Sequence, residues 1–476
     1  MRGVVGRNIA VYRLCFIIFL GYLTSIGLKA QDSAWVVGRV TVEGLKKTRL
    51  EVVRSYLCVE EGDVVSRDGL EEVLQRCREN LLHTRLFRDV VVDVDSSQGE
   101  KLRLEIRVEE LWYIYPGLYF QLADRNFNEW AQLHHYSLRR INIGPTLWYF
   151  NVTGRGDVLS FLWHEGYTRR FHLAYRRDGL PRWKKWGWGM ELFYRDRKEV
   201  GYRIRSNRLE FYRNDEEVQL RRRGVELYLS RQENVRTRWT FHLAYTDLRM
   251  GTHLYRLRGD FLGGVSGMRY FSLWWRYSYT ALDRRDYPLS GWMAEVLVRK
   301  DGLAPSDGVQ FLYTDVLWRG YRMLSERLSG GLVVRMQRQW IDTEVPYYFR
   351  HFFGYGVHQL RGYELYVVEG TDFGYLKALL TYALWRGKIR VGWGGVRLSD
   401  YRRGEGMPIE LYLAFQWDVG RVWTFASVEN PLNEELLTGG GPAIHLVWSN
   451  RYVMRVEWSI NRRGERGVYL HFMRSY

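Results

Sequence analysis

From about residue 111 to its C-terminus the chain alternates between apolar and polar positions. Trp239, Phe241, Leu243 and Tyr245 are interleaved with Thr240, His242 and Thr246. Ile409, Leu411, Leu413, Phe415, Trp417 and Val419 alternate with Glu410, Tyr412, Gln416 and Asp418. Tyr452, Met454, Val456, Trp458 and Ile460 alternate with Arg455, Glu457, Ser459 and Asn461. The same period recurs at 272–281, 291–299, 309–318, 331–340 and 467–476. A period of two sends successive side chains to opposite faces of a strand. Each run is therefore a strand with one apolar, aromatic face and one polar, often charged face.

Residues 35–112 have a different texture. Positions 35–42 alternate as a strand. Residues 48–58 predict a short helix, with Leu50, Val53 and Leu57 at helical spacing. After a turn at Glu61-Gly62-Asp63, Ser66 is placed to cap a longer helix reaching about residue 82, striped by Leu70, Val73, Leu74, Cys77 and Leu81. Residues 87–94 and 102–108 alternate again, joined by Ser96-Ser97-Gln98-Gly99. The order β-α-α-β-β suits a three-stranded sheet carrying both helices on one face.

Two folds accommodate the long strand region. In a soluble sandwich the apolar faces meet in a core; in a transmembrane barrel they meet lipid and the polar faces line a lumen. Runs of about nine to eleven residues match a tilted membrane strand. Trp and Tyr cluster near strand ends, as an interfacial girdle requires. An open sheet in lipid leaves edge N–H and C=O groups unsatisfied, so the strands must close. Residues 113–476 then give about sixteen strands at roughly 22–23 residues per strand and connection. The expected fold is mainly β: a transmembrane antiparallel barrel after a small α+β domain.

The ends and the charge fit this picture. Arg2, Arg7 and Arg13 precede an apolar stretch from Leu14 to Leu28, and Ala30 offers a cut before Gln31, so residues 1–30 are expected to be an export signal peptide. The chain is formally +17, with 71 Lys+Arg against 54 Asp+Glu. The basic residues are spread along strands rather than gathered on a helix or arm. That speaks against nucleic acid and for a charged lumen or contact with anionic lipid. Cys58 and Cys77 lie in neighbouring helical patterns; two free, buried thiols is the expected state, and a disulfide, which an oxidising compartment permits, is the alternative. No Cys/His spacing suggests a metal, and no Gly-rich phosphate loop suggests a nucleotide.

One connection breaks the rule that hairpin loops are short and polar. Residues 341–371 carry Tyr347, Tyr348, Phe349, Phe352, Phe353, Tyr355, Tyr363 and Tyr366. A long aromatic loop must pack on something, and inside a barrel the available surface is the lumen. The reading is a lumen-folded loop with Arg361-Gly362-Tyr363 at its tip; a surface loop or inserted hairpin is the alternative.

Several motifs occur in one order. Val42-x-Gly44, Gly62-Asp63, Leu86-Phe87 and Val90 lie in the small domain. Asn151-Val152-Thr153-Gly154-Arg155-Gly156-Asp157 forms an NxxGRG turn, and Asp286-Tyr287-Pro288-Leu289-Ser290-Gly291 a D-x-P-x-x-G strand start. Gly354-x-Gly356 precedes Leu360-Arg361-Gly362-Tyr363, and Phe415-Gln416-Trp417-Asp418-Val419-Gly420 is an F-x-x-D-x-G strand. Tyr476 ends the chain on an aromatic. This set resembles the Bam/Tam (BamA-like, bacterial surface antigen) superfamily of outer-membrane assembly barrels, with residues 35–112 as a single POTRA domain.

The resemblance implies that Arg361 reaches a barrel-wall carboxylate, for which Asp418 is the match; strand parity independently puts Asp418 on the polar face with Glu410. A second acid is expected on the preceding strand, where Lys377 stands instead. A lysine there is expected to repel Arg361, leaving Glu410 as a substitute or the loop more weakly held. The seam strand is expected at 467–476, with Gly464 and Gly467 permitting a bend, and Arg474 falls on lipid-facing parity. The implied function is nucleotide-independent, cofactor-free assembly or translocation of proteins at the outer membrane. It works through β-augmentation on the POTRA domain, held in the periplasm, and through a seam that templates client strands. Its implied partners are lipid, unfolded outer-membrane or secreted clients, and accessory periplasmic or lipoprotein subunits. A single POTRA suggests a specialised paralogue or a subunit of a larger complex. The alternative is a secretion pore for one dedicated partner. An enzyme is not expected: His134-His135 and His164-Glu165 lack a nucleophile or carboxylate at a recognisable spacing.

Overall fold

The computed structural model describes residues 34–98, 101–123, 130–131, 135–180, 184–340, 345–354, 358–392, 395–400, 407–423, 430–448 and 452–474. The signal peptide expected at 1–30, His134 and Tyr476 lie outside the described residues. The chain divides into two units, 1–111 and 112–476.

The first unit contains β1 (Ala34–Glu43), α1 (Leu50–Tyr56), β2 (Val64–Ser66), α2 (Leu70–His83), β3 (Phe87–Gln98) and β4 (Lys101–Glu110). Its sheet runs β2-β1-β4-β3, with β1 and β4 parallel. The added short strand β2 takes Ser66, so this serine does not cap the long helix as its position suggested. The helix starts at Leu70 and the Ser66 hydroxyl instead accepts the Gly69 N–H at 3.2 Å. Val53, Cys77, Leu81, Val90, Leu102 and Ile106 are buried in the core. Cys58 and Cys77 are not joined in a disulfide, and the Cys77 sulfur accepts the Cys58 N–H at 3.0 Å. At the end of β4 the Glu110 carboxylate gathers the N–H groups of Lys46, Lys47 and Thr48 at 2.7–3.2 Å. Partial burial opposes its ionisation, but these bonds prevail and hold the carboxyl below the usual range.

The second unit is a closed barrel. Among the described residues sixteen strands form its wall. The first five are β5 (Ile114–Leu122), β6 (Ile141–Phe150), β7 (Val158–Gly166), β8 (Thr168–Arg177) and β9 (Trp186–Arg197). A hairpin, β10 (Glu199–Arg205) with β11 (Arg208–Arg213), interrupts the wall before β12 (Leu220–Gln232) and β13 (Thr237–Met250). Short helix α3 (Thr252–Leu257) leads to β14 (Gly267–Leu282), β15 (Gly291–Asp301), β16 (Phe311–Met323) and β17 (Leu328–Gln339). A small hairpin, β18 (His351–Phe353) with β19 (Val368–Gly370), precedes β20 (Asp372–Gly392). β21 (Gly395–Asp400) pairs with the end of β20, and the wall continues through β22 (Met407–Trp423), β23 (Leu437–Trp448), β24 (Tyr452–Asn461) and β25 (Arg466–Arg474) to meet β5.

The rim where the chain enters at Ile114 is called near and the opposite rim far. Parity holds along the wall: Leu413, Phe415 and Trp417 of β22 face outward and exposed, whereas Glu410, Tyr412, Gln416 and Asp418 are buried on the lumen side. The ladders carry this alternation from strand to strand, since Trp417 pairs with Gly440 and Asp418 with Gly439.

Candidate functional site in the barrel lumen

The segment between β17 and β20 turns into the lumen. Its first part packs Tyr347, Tyr348 and Phe349 against Phe261, Tyr270 of β14 and Phe311 of β16, and its later part lies on the wall formed by β20, β22, β23 and β24. Its tip is a tight turn, closed by the Tyr363 N–H on the Leu360 carbonyl at 3.1 Å. Gly362 sits there at φ +79°, where a Cβ would come within 2.9 Å of the Asn461 side chain. Gly439 on the wall gives the matching clearance, because a Cβ would lie 2.1 Å from the Arg361 carbonyl oxygen. Tyr363 and Leu360 pack into an apolar cluster with Phe353, Phe373, Val422 and Leu437. This cluster takes Phe353, Tyr363 and Tyr366, and the separate one around Phe261 and Tyr270 takes Tyr347, Tyr348 and Phe349, so two buried sites account for these aromatics in one connection.

Arg361 is held by two carboxylates. Its Nη1 donates to Asp418 Oδ1 at 2.6 Å, its backbone N–H to Asp418 Oδ2 at 3.2 Å, and its Nε to Glu457 Oε2 at 3.2 Å. Asp418 is fully buried, so these charge-assisted bonds replace the water it has lost. The second acid comes from Glu457 on β24. Lys377 stands on β20 opposite Asp418 in register; its Nζ lies 3.8 Å from Asp418 Oδ2 and donates to the Gln359 carbonyl at 2.5 Å. Lys377 therefore grips the loop backbone two residues before Arg361, and the two cations share the Asp418 carboxylate. Glu364, Glu457 and His471 bring ligand-type atoms within 4.8 Å of one another. Arg361 and Arg455 already lie on Glu457 at 3.2 and 3.4 Å, and a metal dication set among these guanidiniums is electrostatically disfavoured.

Glu410 does not reach Arg361. It takes Arg284, from the near-rim turn between β14 and β15, at 2.6 Å. Arg284 also donates to the Tyr412 hydroxyl at 3.2 Å, and Tyr412 donates to Glu410 at 2.6 Å. Three residues on, Tyr287 is buried against Tyr412, with ring centroids 4.8 Å apart, and its hydroxyl meets His445 Nδ1 at 2.8 Å. Tyr287, Leu289, Tyr412, Val447 and Val453 form a small core. The D-x-P-x-x-G motif is thus more than a strand start: Asp286 and Pro288 flank a tyrosine that crosses the near mouth, and Gly291 opens β15. Arg361 and Arg284 end on two lumen-facing carboxylates of the same strand, eight residues apart.

The remaining sequence-selected residues are dispersed. Asn151, Gly154, Arg155 and Gly156 form the near-rim turn between β6 and β7. There the Asn151 amide oxygen accepts the Gly156 N–H at 2.9 Å, and Asp157 accepts the Thr153 N–H. Gly464 lies in the turn before β25, its N–H on the Asn461 carbonyl at 2.9 Å, and Gly467, the second residue of β25, pairs with Ser459. Arg474 falls opposite Tyr452 in register. His164 and Glu165 point to opposite faces: His164 stacks on Tyr119 inside, while Glu165 pairs with Arg169 outside. Sequence reasoning missed Glu457, Arg284 and Tyr287 as anchors. Parity already put Glu457 in the lumen, but only the register of β24 sets its depth.

Comparison with known proteins agrees with this architecture. Residues 36–111 match the family model POTRA, described as surface antigen variable number repeat, and form a POTRA domain. A crystal structure of BamA from Haemophilus ducreyi lacking POTRA domains 1–3 superimposes with a TM-score of 0.55 at 14% identity, over 92% of this chain and 83% of that one. CdiB from Escherichia coli superimposes with a TM-score of 0.55 at 12% identity, over 92% of this chain and 75% of that one. The chain shares their fold. No protein of curated function matches it by sequence.

Proposed function

We propose that the protein sits in an outer membrane, with its POTRA domain in the periplasm, and inserts β-rich client proteins there without nucleotide, cofactor or covalent catalysis. The observation that carries this reading is the uneven lumen. Two segments cross it and dock on β22, so the lumen side of β20–β24 is covered. On β5 the inward-facing Tyr115, Gly117 and Gln121 are exposed. A lumen blocked on one side and wet on the other suits a lateral route beside β5 and β25 better than an open axial pore. An unzipped β5 or β25 presents a row of N–H and C=O groups that an extended client strand can pair with. The POTRA sheet offers the same chemistry to a client before it reaches the barrel. Lipid, unfolded client chains and accessory periplasmic subunits are the partners this requires.

The test joins β5 to β25 by engineered cysteines in the native host. Locked protein should fail to support barrel-protein levels, and reduction should restore them. Full function in the oxidised form excludes a lateral route. Loss of one secreted protein alone on depletion assigns the chain to dedicated secretion instead.

A further inference from the structure

Outward-facing positions of a membrane strand are normally apolar, yet one arc of the far rim is cationic. The ladders align its side chains in rows across β8, β9, β12, β13 and β14. In the outermost row Arg169 pairs with Asp196, Asp196 with Arg221, and Arg221 with Arg249. The next row runs Phe171, Tyr194, Arg223, Asp247 and Arg269. The third row is Leu173, Leu192, Val225, Tyr245 and Phe271, fully apolar or aromatic. The boundary between rows two and three is thus the level at which hydrocarbon gives way to headgroups.

Five arginines stand there against three acids. Arg169 lies 3.0 Å from Glu165, Arg221 3.0 Å from Asp196, and Arg223 and Arg249 share Asp247 at 2.9 and 3.1 Å. Arg269 has no ion pair among the described residues and is exposed. Arg221 and Arg249 oppose each other directly in register, each already on its own carboxylate, so the arc's surplus charge rests with Arg269 and with the Asp247 that Arg223 and Arg249 share. A groove of about 560 Å³ opens on the same surface between Phe171, Leu192, Tyr194 and Tyr245, with Arg223, Arg269 and the Asp247 carboxylate that Arg223 holds on its lining. Guanidinium forks above and apolar walls below match a phosphate attached to acyl chains, because the phosphate accepts bidentate bonds while the chains continue down the third row.

We propose that this arc is a binding site for the phosphorylated headgroup of a membrane lipid, with Arg223 and Arg269 as its phosphate ligands. The site rests on the outer-membrane reading given above and places the lipid in the leaflet at the far rim. Outside this arc the far rim carries Arg338, which stacks over Trp340.

The experiment embeds the full chain in bilayers of phosphatidylcholine doped with phosphatidic acid and counts the lipid retained by native mass spectrometry. The wild type should retain phosphatidic acid over phosphatidylcholine. The double variant Arg223→Gln/Arg269→Gln should lose that preference by roughly tenfold, as expected for two forked ion pairs, and Arg338→Gln should keep it. Heat-dependent electrophoretic mobility reports whether each barrel is closed. Should the glutamine pair not fold, Arg223→Lys/Arg269→Lys retains the charge and should show a partial loss. Unchanged selectivity in the variants, or displacement of the lipid by inorganic phosphate at equal concentration, overturns the site. A bilayer-embedded barrel indifferent to headgroup overturns this proposal alone; a chain that never enters bilayers overturns the membrane reading with it.

Discussion

The lumen faces of β22 and β5 belong to one barrel and meet opposite surroundings. On β22, Glu410, Tyr412, Ala414, Gln416 and Asp418 are all buried, two of them as carboxylates that receive an arginine from across the lumen. On β5 the inward-facing Tyr115, Gly117 and Gln121 are open and Tyr119 is half-buried on His164, and Leu118 and Phe120 on its outer face are also among the most exposed apolar side chains, at 71% and 61%. A closed wall needs both strands for its hydrogen bonds, but only one is asked to hold the internal structure. The difference assigns rigidity to the β20–β24 side and leaves the strand at the closure point lightly packed, which is the side from which a seam opens at least cost.

That assignment makes Arg361 the most sensitive point. Arg361→Ala takes the shared cation from the fully buried Asp418 and the nearly buried Glu457, leaving them Lys377 and Arg455 at 3.8 and 3.4 Å, so the cost should approach the lower end of the about 3–5 kcal/mol of broken buried pairs. Urea unfolding in lipid vesicles should show that loss, with the loop newly open to protease. Wild-type resistance in this variant removes the rigid wall from the account. Arg284→Ala should cost less, about 1.5–3 kcal/mol, because one carboxylate is left unpaired and Tyr412 still bonds to it. Its sharper readout is conductance in planar bilayers: freeing Tyr287 from the near mouth should raise it, and an unchanged current means the turn does not obstruct the lumen.

The parts of this wall legible in the sequence are those set by local rules. Period-two alternation put Asp418, Glu410 and Glu457 on one face without any knowledge of the fold, and the aromatic excess of 341–371 marked a connection with something to bury. Depth around the barrel is a different kind of information. Whether Glu410 or Glu457 stands level with Arg361 depends on the stagger accumulated over neighbouring ladders, which no single strand encodes. Lys377 shows the same limit: alone it reads as a like charge beside Arg361, and only the Gln359 carbonyl 2.5 Å away turns it into a hold on the loop. Tyr287 was hidden because its motif accounts for a turn equally well whether the turn faces water or spans a lumen.

The smallest effect belongs to the open wall. Tyr115 faces the lumen from β5, is 42% exposed, and meets Phe150 edge-on with ring centroids 5.7 Å apart. Tyr115→Ala removes one edge contact and leaves no buried group unpaired, so the expected cost is about 1 kcal/mol or less. Measured by the same urea unfolding, this variant should stay close to the wild type while Arg361→Ala and Arg284→Ala fall away from it. A loss of several kcal/mol at Tyr115 would mean that β5 carries internal load after all. The two walls would then be alike, and the barrel would have no preferred side on which to part.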